Sequence, residues 1–337
     1  MLSGAILALD VGATNVRAAV VGPDGTIDVR RTARTPTGQA GDAVVSFILD
    51  LLRQARDEYA ASGGRDAIAV GICAPGPLDA ATGTLIEPPN LGGDWRGLAL
   101  GPAIGDGLRL PWALDRDTVG TILGEWHFGA GRGSTDLVYL TISTGVGGAV
   151  VTDGRLLLGP DGVAGELGHM TVDMDGPLCG CGAPGHVEAF ASGVAIARAG
   201  RSAVRAGSAG EPLKAMAESA GVDRITAEDV SRAADLGDRA AGVILAGARR
   251  AVAFAVVSLV NVFAPDVVML GGGITRAWGE HLLAPTRSAV AEQAFRIQAD
   301  RVRVIAAALG DDGGLAGAVP LVAARLPHLD TRERPTT

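Results

Sequence analysis

The sequence has few aromatic residues and no excess of positive charge, and each shortage narrows the possible functions. Aromatic residues make up only 4% of the 337 residues, while glycine occurs 50 times, a composition typical of tight turns and of sites lined by backbone. The formal net charge of −8 argues against a nucleic-acid-binding surface, which is normally basic. Small molecules are therefore the expected partners.

Cysteine is scarce too, with only three in the chain. Cys179 and Cys181 are separated by one residue, which is too short a spacing for an ordinary disulfide between extended residues. We therefore expect a reducing, cytoplasmic setting. Cys73 lies in an apolar strand and is expected to be a buried small hydrophobe.

Long apolar runs are also missing. The N-terminal segment MLSGAILALDVG has no basic region before its apolar residues and contains Asp10, which is not the pattern of a signal peptide. The longest apolar run, AVAFAVVSLV at 251–260, follows Arg249 and Arg250 and is well short of the ~20 residues needed to cross a bilayer. It predicts a buried helix in a protein with no membrane partner.

Strand, turn and helix signals occur twice in the same order. The length and the hydrophobic content of 47% allow two domains with substantial cores. Strand–helix–strand order implies a parallel crossover, and two related α/β domains facing each other would bring their first turns to a shared cleft. The first copy comprises a hairpin of strands 5–10 and 16–21, a helix at 42–60 and a strand at 67–73. The second comprises a hairpin starting with strand 137–143, a long helix at about 238–263 and a strand at 267–270.

Three glycine-rich turns follow predicted strands and could bind phosphate. After the first strand, Gly12 allows a sharp turn, the Thr14 hydroxyl and the amides after it can face phosphate oxygens, and Asp10 could hold Mg²⁺ through water. The alternative is a plain hairpin turn with a solvated Asp. The second turn contains Thr144, Gly145, Gly147 and Gly148. The third, at 271–273, follows a strand and opens a helix, as helix N-termini at nucleotides do.

Residues 165–188, GELGHMTVDMDGPLCGCGAPGHVE, have neither helical nor strand periodicity. Their composition suits a loop held by a metal ion, because imidazole and thiolate are the ligands that zinc prefers. Glu166 and Glu188 flank the possible ligands and could contact substrate. The four candidate ligands of a tetrahedral zinc site are His169, Cys179, Cys181 and His186.

This segment resembles the signature of the ROK family of sugar kinases and repressors, ExGH followed by CxCGxxGCxE, with His186 in place of the third cysteine. The first turn matches the family pattern DxGxTxxR, and the second resembles GTGxGG with Ser143 where glycine is usual. A Walker P-loop is absent. The resemblance extends from residue 5 to about 318 and implies an α/β protein of the actin-like ATPase (ribonuclease H-like) fold, with two α/β domains and an interdomain cleft.

The resemblance also implies domain boundaries. The small domain would span 1–116 and regain a last helix at 310–326. The large domain would fill 117–309. The polar tail at 327–337 is expected to be disordered.

By the same resemblance, the nucleotide ATP, with Mg²⁺, would be bound by the three turns. The first phosphate turn would supply Asp10, Gly12, Thr14, Asn15 and Arg17. The second would supply Thr144, Gly145 and Gly147, and the adenosine side Gly271, Gly272 and Gly273. Sugar would be bound by Gly76 and Asn90 in small-domain loops and by Glu166, His169 and Glu188, with His169 also a ligand of a structural zinc.

Asp117 resembles the catalytic base of the family motif NDxNxxxxxE, which Glu125 completes. A carboxylate within reach of the hydroxyl can take its proton during phosphoryl transfer. A predicted helix N-terminus favours its ionised form, although a helix-capping Asp without chemistry has the same pattern. Arg116 replaces the motif's first Asn and Val119 its second. Arg116 could weaken the base, stabilise transferring charge or bind an acidic substrate group, but we favour a solvated side chain facing away.

The function that the resemblance implies is ATP-dependent phosphorylation of a hexose, most simply glucose at its 6-hydroxyl as in glycolysis, by a homodimer. Kinases for N-acetylmannosamine, N-acetylglucosamine or fructose are alternatives, and so is polyphosphate as donor. A non-catalytic sugar-binding protein is a third possibility, motivated by Arg116 and Val119. A repressor would need a DNA-binding domain before the first turn, for which we expect no room ahead of residue 10.

Overall fold

The computed structural model describes residues 2–88 and 91–329. Asn90 and most of the predicted tail lie outside them. The strands are β1 (Ile6–Val11), β2 (Asn15–Val21), β3 (Ile27–Arg34), β4 (Ala69–Ala74), β5 (Leu78–Asp79), β6 (Thr84–Leu85), β7 (Trp112–Arg116), β8 (Leu137–Ile142), β9 (Val146–Thr152), β10 (Arg155–Leu156), β11 (Val267–Gly271) and β12 (Arg303–Ala306). The α-helices are α1 (Gly41–Ala61), α2 (Leu100–Leu108), α3 (Asp117–Phe128), α4 (Val187–Ala191), α5 (Gly193–Arg205), α6 (Glu211–Ala220), α7 (Ala227–Asp235), α8 (Arg239–Phe263), α9 (Gly273–Trp278), α10 (Glu280–Gln293), α11 (Arg296–Ala299) and α12 (Gly313–Arg325).

The described chain divides into two compact units. The first contains the residues up to Gly133, the segment Leu158–Val163 and the residues from Ala308 onward, and the second contains Ser134–Leu157 and Ala164–Ala307. The sequence-based boundary at 116/117 differs from this division, because α3 packs along α12 and so lies in the first unit. Asp117 therefore belongs to the first unit rather than to the large domain.

The first unit is built on a five-stranded sheet of order β3-β2-β1-β4-β7. The predicted hairpin is confirmed by the antiparallel β1–β2 pair, and the predicted crossover by the parallel β1–β4 pair. Because side chains alternate across a strand, the sheet has two differently packed faces. One carries an apolar core with α1, exemplified by Leu7, Leu9 and Ile48, and α12 with α3 covers the other.

The second unit repeats this topology with a sheet of order β10-β9-β8-β11-β12. Here too a hairpin, β8–β9, is followed by a parallel strand, β11, and both predicted features are confirmed. The core lies between this sheet and α8, with Val138, Leu140, Val252 and Val256 fully buried. The two hairpins thus occupy equivalent positions in their sheets, and each carries one predicted phosphate turn.

α8 contains the longest apolar run of the sequence. It is the one described helix that is long and apolar enough to cross a membrane, and 56% of its most apolar 18-residue window is buried within the protein. The run at 251–260 forms part of this helix, as predicted, and its buried side packs into the core of the second unit.

Candidate nucleotide, sugar and metal sites

The first phosphate turn is a tight connection between β1 and β2. The amide of Gly12 donates to the carbonyl of Asn15 at 2.9 Å, and a Cβ on Gly12 would lie only 3.0 Å from that oxygen. The Thr35 hydroxyl, on the residue that follows β3, donates to the Gly12 carbonyl at 2.6 Å and so helps to hold the turn. Thr14 is exposed at the tip of the turn.

Asp10, at the end of β1, is buried and paired. Nη1 of Arg17 lies 2.9 Å from its Oδ2, and a Cβ on Gly314, at the start of α12, would lie 3.1 Å from its Oδ1. Burial raises the pKa of Asp10, and the Arg17 charge opposes that rise without cancelling it. The alternative of a solvated Asp is therefore wrong. A buried carboxylate with a perturbed pKa at a strand end is typical of a functional acid.

Asp10 is one of three polar residues that lie side by side on neighbouring strands of this sheet. Asp10, Cys73 and Asp115 are register partners on β1, β4 and β7, and register partners point to the same face. The Cys73 thiol donates to the Gly314 carbonyl at 3.4 Å. Burial raises the pKa of Cys73 strongly, and the charges of Asp10, Asp115 and Asp117 add to the rise. Cys73 is fully buried, as predicted.

Asp115 was not predicted from the sequence to be a site residue. Its side chain is buried, its Oδ1 accepts from the amide of Arg116 at 2.8 Å and its Oδ2 accepts from Nη2 of Arg325 at 2.6 Å. The sequence feature that could have indicated its role is an acidic residue within the largely apolar strand β7. The partner, on α12, could not be identified from local pattern.

Arg116 is not the solvated residue that the sequence suggests. It is 4% exposed, and a Cβ on Gly76 would lie 3.1 Å from its Cδ and 3.3 Å from its Cγ. The absence of a side chain on Gly76 thus leaves space for the aliphatic part of Arg116. The structure therefore brings together two predicted sugar contacts, Gly76 and Arg116, next to Asp117.

Asp117 is the first residue of α3 and half-buried. Its Oδ1 accepts from the amide of Thr118 at 2.7 Å, and its carbonyl accepts from the Thr121 hydroxyl at 2.9 Å. The N-cap position itself is taken by Arg116. The carboxylate therefore lies at the positive end of the helix dipole, which favours its ionised form.

The two other residues of this motif have packing roles. Val119 is fully buried and contributes to the covered side of α3. Glu125 is also fully buried, and its two oxygens accept from the amides of Ala130 at 2.8 Å and Leu309 at 2.7 Å. Glu125 thus fastens the loop after α3 to the segment before α12.

In the second unit, the second phosphate turn connects β8 and β9. The amide of Ser143 donates to the carbonyl of Gly145 at 2.9 Å. The start of α5 supports the turn from behind, because Gly193 N donates to Ser143 O at 2.8 Å and Val194 N to Thr144 O at 3.3 Å.

The third turn packs against the second. Gly272 has a φ of +90°, and a Cβ there would lie 2.3 Å from the Ile142 carbonyl oxygen, so glycine is required. Gly273 begins α9, where a Cβ would lie 3.7 Å from the Ser143 hydroxyl oxygen. Gly271 ends β11 against Tyr139, and Gly147 lies in β9 rather than in the turn. The predicted phosphate and adenosine motifs are thus neighbours.

The four predicted metal ligands come together in the second unit. Their ligand atoms all lie within 4.8 Å of one another. Tetrahedral zinc with ~2.0 Å bonds to nitrogen and ~2.3 Å bonds to sulfur requires ligand separations of roughly 3.3–3.8 Å. Observed separations are 3.2 Å between the Nδ1 atoms of His169 and His186, 3.3 Å from Cys181 Sγ to His186 Nδ1, and 3.8 Å from Cys179 Sγ to His169 Nδ1. The residues therefore fit zinc.

Both imidazoles turn Nδ1 toward this cluster, so Nε2 of His169 lies on the far side of its ring from the cluster. Burial raises the pKa of the Cys179 thiol, which a metal ion would have to deprotonate. Glu166 is exposed and precedes the short 3₁₀ turn that carries His169.

Glu188 contacts both the cluster and the phosphate turn. Its Oε2 accepts from the amide of Val146 at 2.9 Å, and its Oε1 accepts from the Cys179 thiol at 3.5 Å. The sequence predicts a free carboxylate for sugar at this position. The structure instead gives both oxygens a partner within the second unit.

Comparison with known proteins gives consistent matches over nearly the whole chain. The sequence model of the ROK family matches residues 6–325. The chain is 34% identical to a glucokinase of Thermotoga maritima, covering 95% of this chain and 98% of the relative, and 34% identical to an N-acetylmannosamine kinase of Escherichia coli O157:H7, covering 94% and 97%.

Among solved structures, the chain is similar to a ROK family glucokinase from Streptomyces griseus in complex with glucose and AMPPNP. The TM-score is 0.77 at 32% identity, covering 94% of this chain and 99% of the other. The chain has the actin-like ATPase fold with two α/β domains. With matching motifs, topology and family model, this protein belongs to the ROK family.

Proposed function

We propose that this protein is an ATP-dependent hexose kinase that phosphorylates glucose at the 6-hydroxyl, with Asp117 as the general base. The observation that carries the proposal is the position of Asp117. It is the first residue of α3, directly after β7, in the same unit as the Asp10 turn. The glucose and AMPPNP bound by the Streptomyces griseus relative support sugar and nucleotide as the ligand classes.

In the reaction, the sugar hydroxyl oxygen bonds to the γ-phosphorus of ATP as the bond to the ADP oxygen breaks. The hydroxyl proton passes to Asp117. Asp117 lies at the positive end of the α3 dipole, which stabilises negative charge there. No P-loop lysine contributes, so the charge of the phosphates would be met by backbone amides and by Mg²⁺.

The phosphate contacts are assigned turn by turn. In the first unit, the amides and the hydroxyl around Thr14 would bind phosphate oxygens. In the second, the amides at Thr144 and Gly145 would do the same, and the start of α9 would face the nucleotide. Asp10 would hold Mg²⁺, a hard cation that prefers carboxylate and water oxygens and neutralises phosphate charge when bound.

The candidate sugar contacts are named for each unit by itself. Arg116 and Gly76 in the first unit and Glu166 and His169 in the second are the candidate contacts. The cluster would hold structural zinc, with His169 Nδ1 toward the metal and Nε2 toward sugar. We further propose that the protein is cytoplasmic, because the free thiols of Cys73, Cys179 and Cys181 suit a reducing compartment. We also propose that it is a homodimer.

An N-acetylmannosamine kinase is the second candidate. It is favoured by the equal identity to the E. coli O157:H7 relative and by the burial of Arg116 against Gly76. A guanidinium has only donors, which suits an acetamido carbonyl as well as a sugar hydroxyl oxygen.

The test is ADP release by the purified, zinc-loaded protein with Mg²⁺-ATP and a panel of glucose, mannose, fructose, N-acetylglucosamine and N-acetylmannosamine. Parallel reactions with polyphosphate measure sugar phosphate instead. We expect the highest kcat/KM for glucose with ATP. Preference for N-acetylmannosamine would establish the second candidate, and no turnover with any sugar or donor would overturn the proposal.

The base is tested by Asp117→Asn, which removes the proton acceptor at almost constant size. We expect kcat to fall by about 10²–10⁴-fold, with glucose binding retained in calorimetry. Asp106→Asn, an exposed site on α2, is the matched control and should leave kcat unchanged. Unchanged turnover in Asp117→Asn would remove Asp117 from this role.

A further inference from the structure

Glu188 joins two parts of the second unit that are far apart in sequence. Its Oε2 accepts from the amide of Val146 at 2.9 Å, and a Cβ on Gly145 would lie 2.9 Å from the same oxygen. Val146 is the residue directly after the phosphate turn. The orientation of this turn therefore depends on a side chain from residues 165–188, the segment with the four candidate metal ligands, which we call the metal-binding segment.

The metal-binding segment also packs on the strand that leaves this turn. A Cβ on Gly168 would lie 2.0 Å from the Val146 carbonyl oxygen, and a Cβ on Gly148 would lie 2.5 Å from Leu167. Both contacts leave no space for a side chain larger than glycine. Residues 167–168 and strand β9 are therefore closely packed, so neither can move without displacing the other.

A second connection runs through α4. His186, one of the four candidate ligands, is the N-cap of this five-residue helix. At its other end, Ser192 leads into α5, whose first amides, on Gly193 and Val194, donate to Ser143 and Thr144 of the phosphate turn. Glu188 lies inside α4, two residues after His186. The helix thus has a metal ligand at one end and phosphate-turn contacts just beyond the other.

The contact of Glu188 with the cluster completes the chain of interactions. Its Oε1 accepts from the Cys179 thiol at 3.5 Å. Without metal, two hydrogen bonds to one carboxylate link Cys179 to Val146. A Cys179 thiolate bound to metal no longer donates, and Glu188 is then held beside the cluster through α4, whose N-cap is the candidate ligand His186. A backbone bond from Val187 N to Met170 O at 3.0 Å holds α4 against the stretch that carries His169.

We propose that Glu188 is a positioning residue for the second phosphate turn, and that a metal ion held by His169, Cys179, Cys181 and His186 increases nucleotide affinity through it. The inference rests on the proposed function for its ligand, a nucleoside triphosphate. The physical basis is pre-organisation. A metal bound to four side chains of one loop restricts that loop, so less conformational freedom is lost when the turn's amides bind phosphate.

The experiment measures nucleotide binding without sugar and without turnover. The nonhydrolysable analogue AMPPNP is titrated by calorimetry in Mg²⁺ buffer into protein carrying one equivalent of Zn²⁺ and into protein stripped by chelator and then dialysed. We expect the zinc-loaded wild type to bind AMPPNP about tenfold more tightly. Mg²⁺ does not replace zinc here, because it prefers oxygen ligands.

Two variants separate Glu188 from the rest of the loop. Glu188→Ala removes the acceptor of the Val146 amide, and it should weaken AMPPNP binding about tenfold in the zinc-loaded state and abolish the zinc dependence of that binding. Glu188→Gln keeps an oxygen that can accept from Val146 N–H, so we expect AMPPNP affinity to be largely restored. Asp175→Asn, an exposed acid of the same loop, controls for charge and should behave as wild type.

Each outcome bears on the proposal. AMPPNP affinity that is independent of zinc in wild type, or zinc dependence that survives in Glu188→Ala, would overturn it while leaving the kinase assignment intact. If Glu188→Ala does not fold, the wild-type zinc comparison and Glu188→Gln still decide, since full zinc dependence and weak binding in Glu188→Gln would assign Glu188 another role. No AMPPNP binding by any form would overturn the proposed function and this inference together.

Discussion

Nη2 of Arg325, in the last turn of α12, lies 2.6 Å from Oδ2 of Asp115 at the end of β7, although 210 residues separate them in the chain. The Asp115 side chain is 2% exposed and that of Arg325 36%. The pair fixes the end of β7, and the next two residues are Arg116 and Asp117. A residue late in the chain thereby helps to place the proposed base.

Replacing Asp115 with Ala should lower the free energy of unfolding by about 2 kcal/mol, less than the ~3–5 kcal/mol for a fully buried pair because Arg325 is partly solvated. Urea denaturation measures this. Asp223→Ala, which breaks an exposed pair with Arg205, is the control and should cost under ~0.5 kcal/mol. Equal costs in both variants would contradict a stabilising role for Asp115.

The Asp10 carboxyl should make stability fall as pH rises. Burial, opposed by Arg17, raises the pKa of Asp10 in the folded protein above its ordinary value of 3.8, so the folded state binds the proton more tightly. Its contribution to stability is therefore fully present below pH ~3.8 and is lost as pH rises through the folded pKa.

Asp10→Asn removes this loss, because the amide carries no charge to bury. In urea denaturation, the variant should gain stability relative to wild type between pH 4 and pH 7, while turnover with Mg²⁺-ATP should be lost. An Asn variant that is less stable than wild type by an amount that grows toward pH 7 would show that the ion pair with Arg17 dominates instead.

Asp238 should have the opposite pH dependence. It caps α8, with Oδ1 accepting from Ala241 N at 3.1 Å and Oδ2 from Leu213 N at 3.2 Å. Burial alone would raise the pKa of Asp238, but hydrogen bonds from several backbone amides outweigh it and the pKa is lowered. Its stabilisation is therefore present above pH ~3.8 and is lost as pH falls through the folded pKa.

Asp238→Ala should cost about 2 kcal/mol at pH 7, because a cap is removed and the Leu213 amide loses its partner. Thermal or urea unfolding measures the cost. Thr226→Ala, at the exposed cap of α7, should cost only ~1 kcal/mol. If the cost of Asp238→Ala did not diminish toward pH 3, its ionised form would not be the stabilising species.

The crossing of α3 and α12 should not accept even one methyl group. A Cβ on Gly124 would lie 2.3 Å from the Gly313 carbonyl oxygen, so Gly124→Ala should destabilise the protein by about 1–3 kcal/mol through overpacking. Gly242→Ala is the matched control on α8, where a Cβ meets nothing within 4 Å. It should stabilise by ~0.5–1 kcal/mol. Equal effects would contradict close packing at this crossing.

Features that depend on local pattern were predictable from the sequence. The two hairpins followed from short apolar strands around Gly-containing turns, and α8 followed from its long apolar run. The cluster of His169, Cys179, Cys181 and His186 was predictable because these residues lie within one short segment and carry suitable donor atoms. Cys73 was correctly predicted to be buried because its neighbours are apolar.

Features that depend on distant partners were not predictable. Arg116 was expected in solvent because charged residues usually are, but the missing side chain of Gly76 leaves room to bury it. Asp115 needs Arg325, and Glu188 needs the amide of Val146, and no spacing rule connects either pair. The assignment of α3 likewise depended on its packing against a helix from a remote part of the chain.

The first unit cannot be completed during synthesis until α12, its last helix, has been made. α12 follows the entire second unit in the chain, yet it covers the face of the first sheet that carries Asp10 and Cys73. On the ribosome, that polar row stays uncovered until the second unit has been made, because domains fold as their residues emerge. The second unit can therefore fold before the first is complete, and the proposed Mg²⁺-binding acid is buried only at the end.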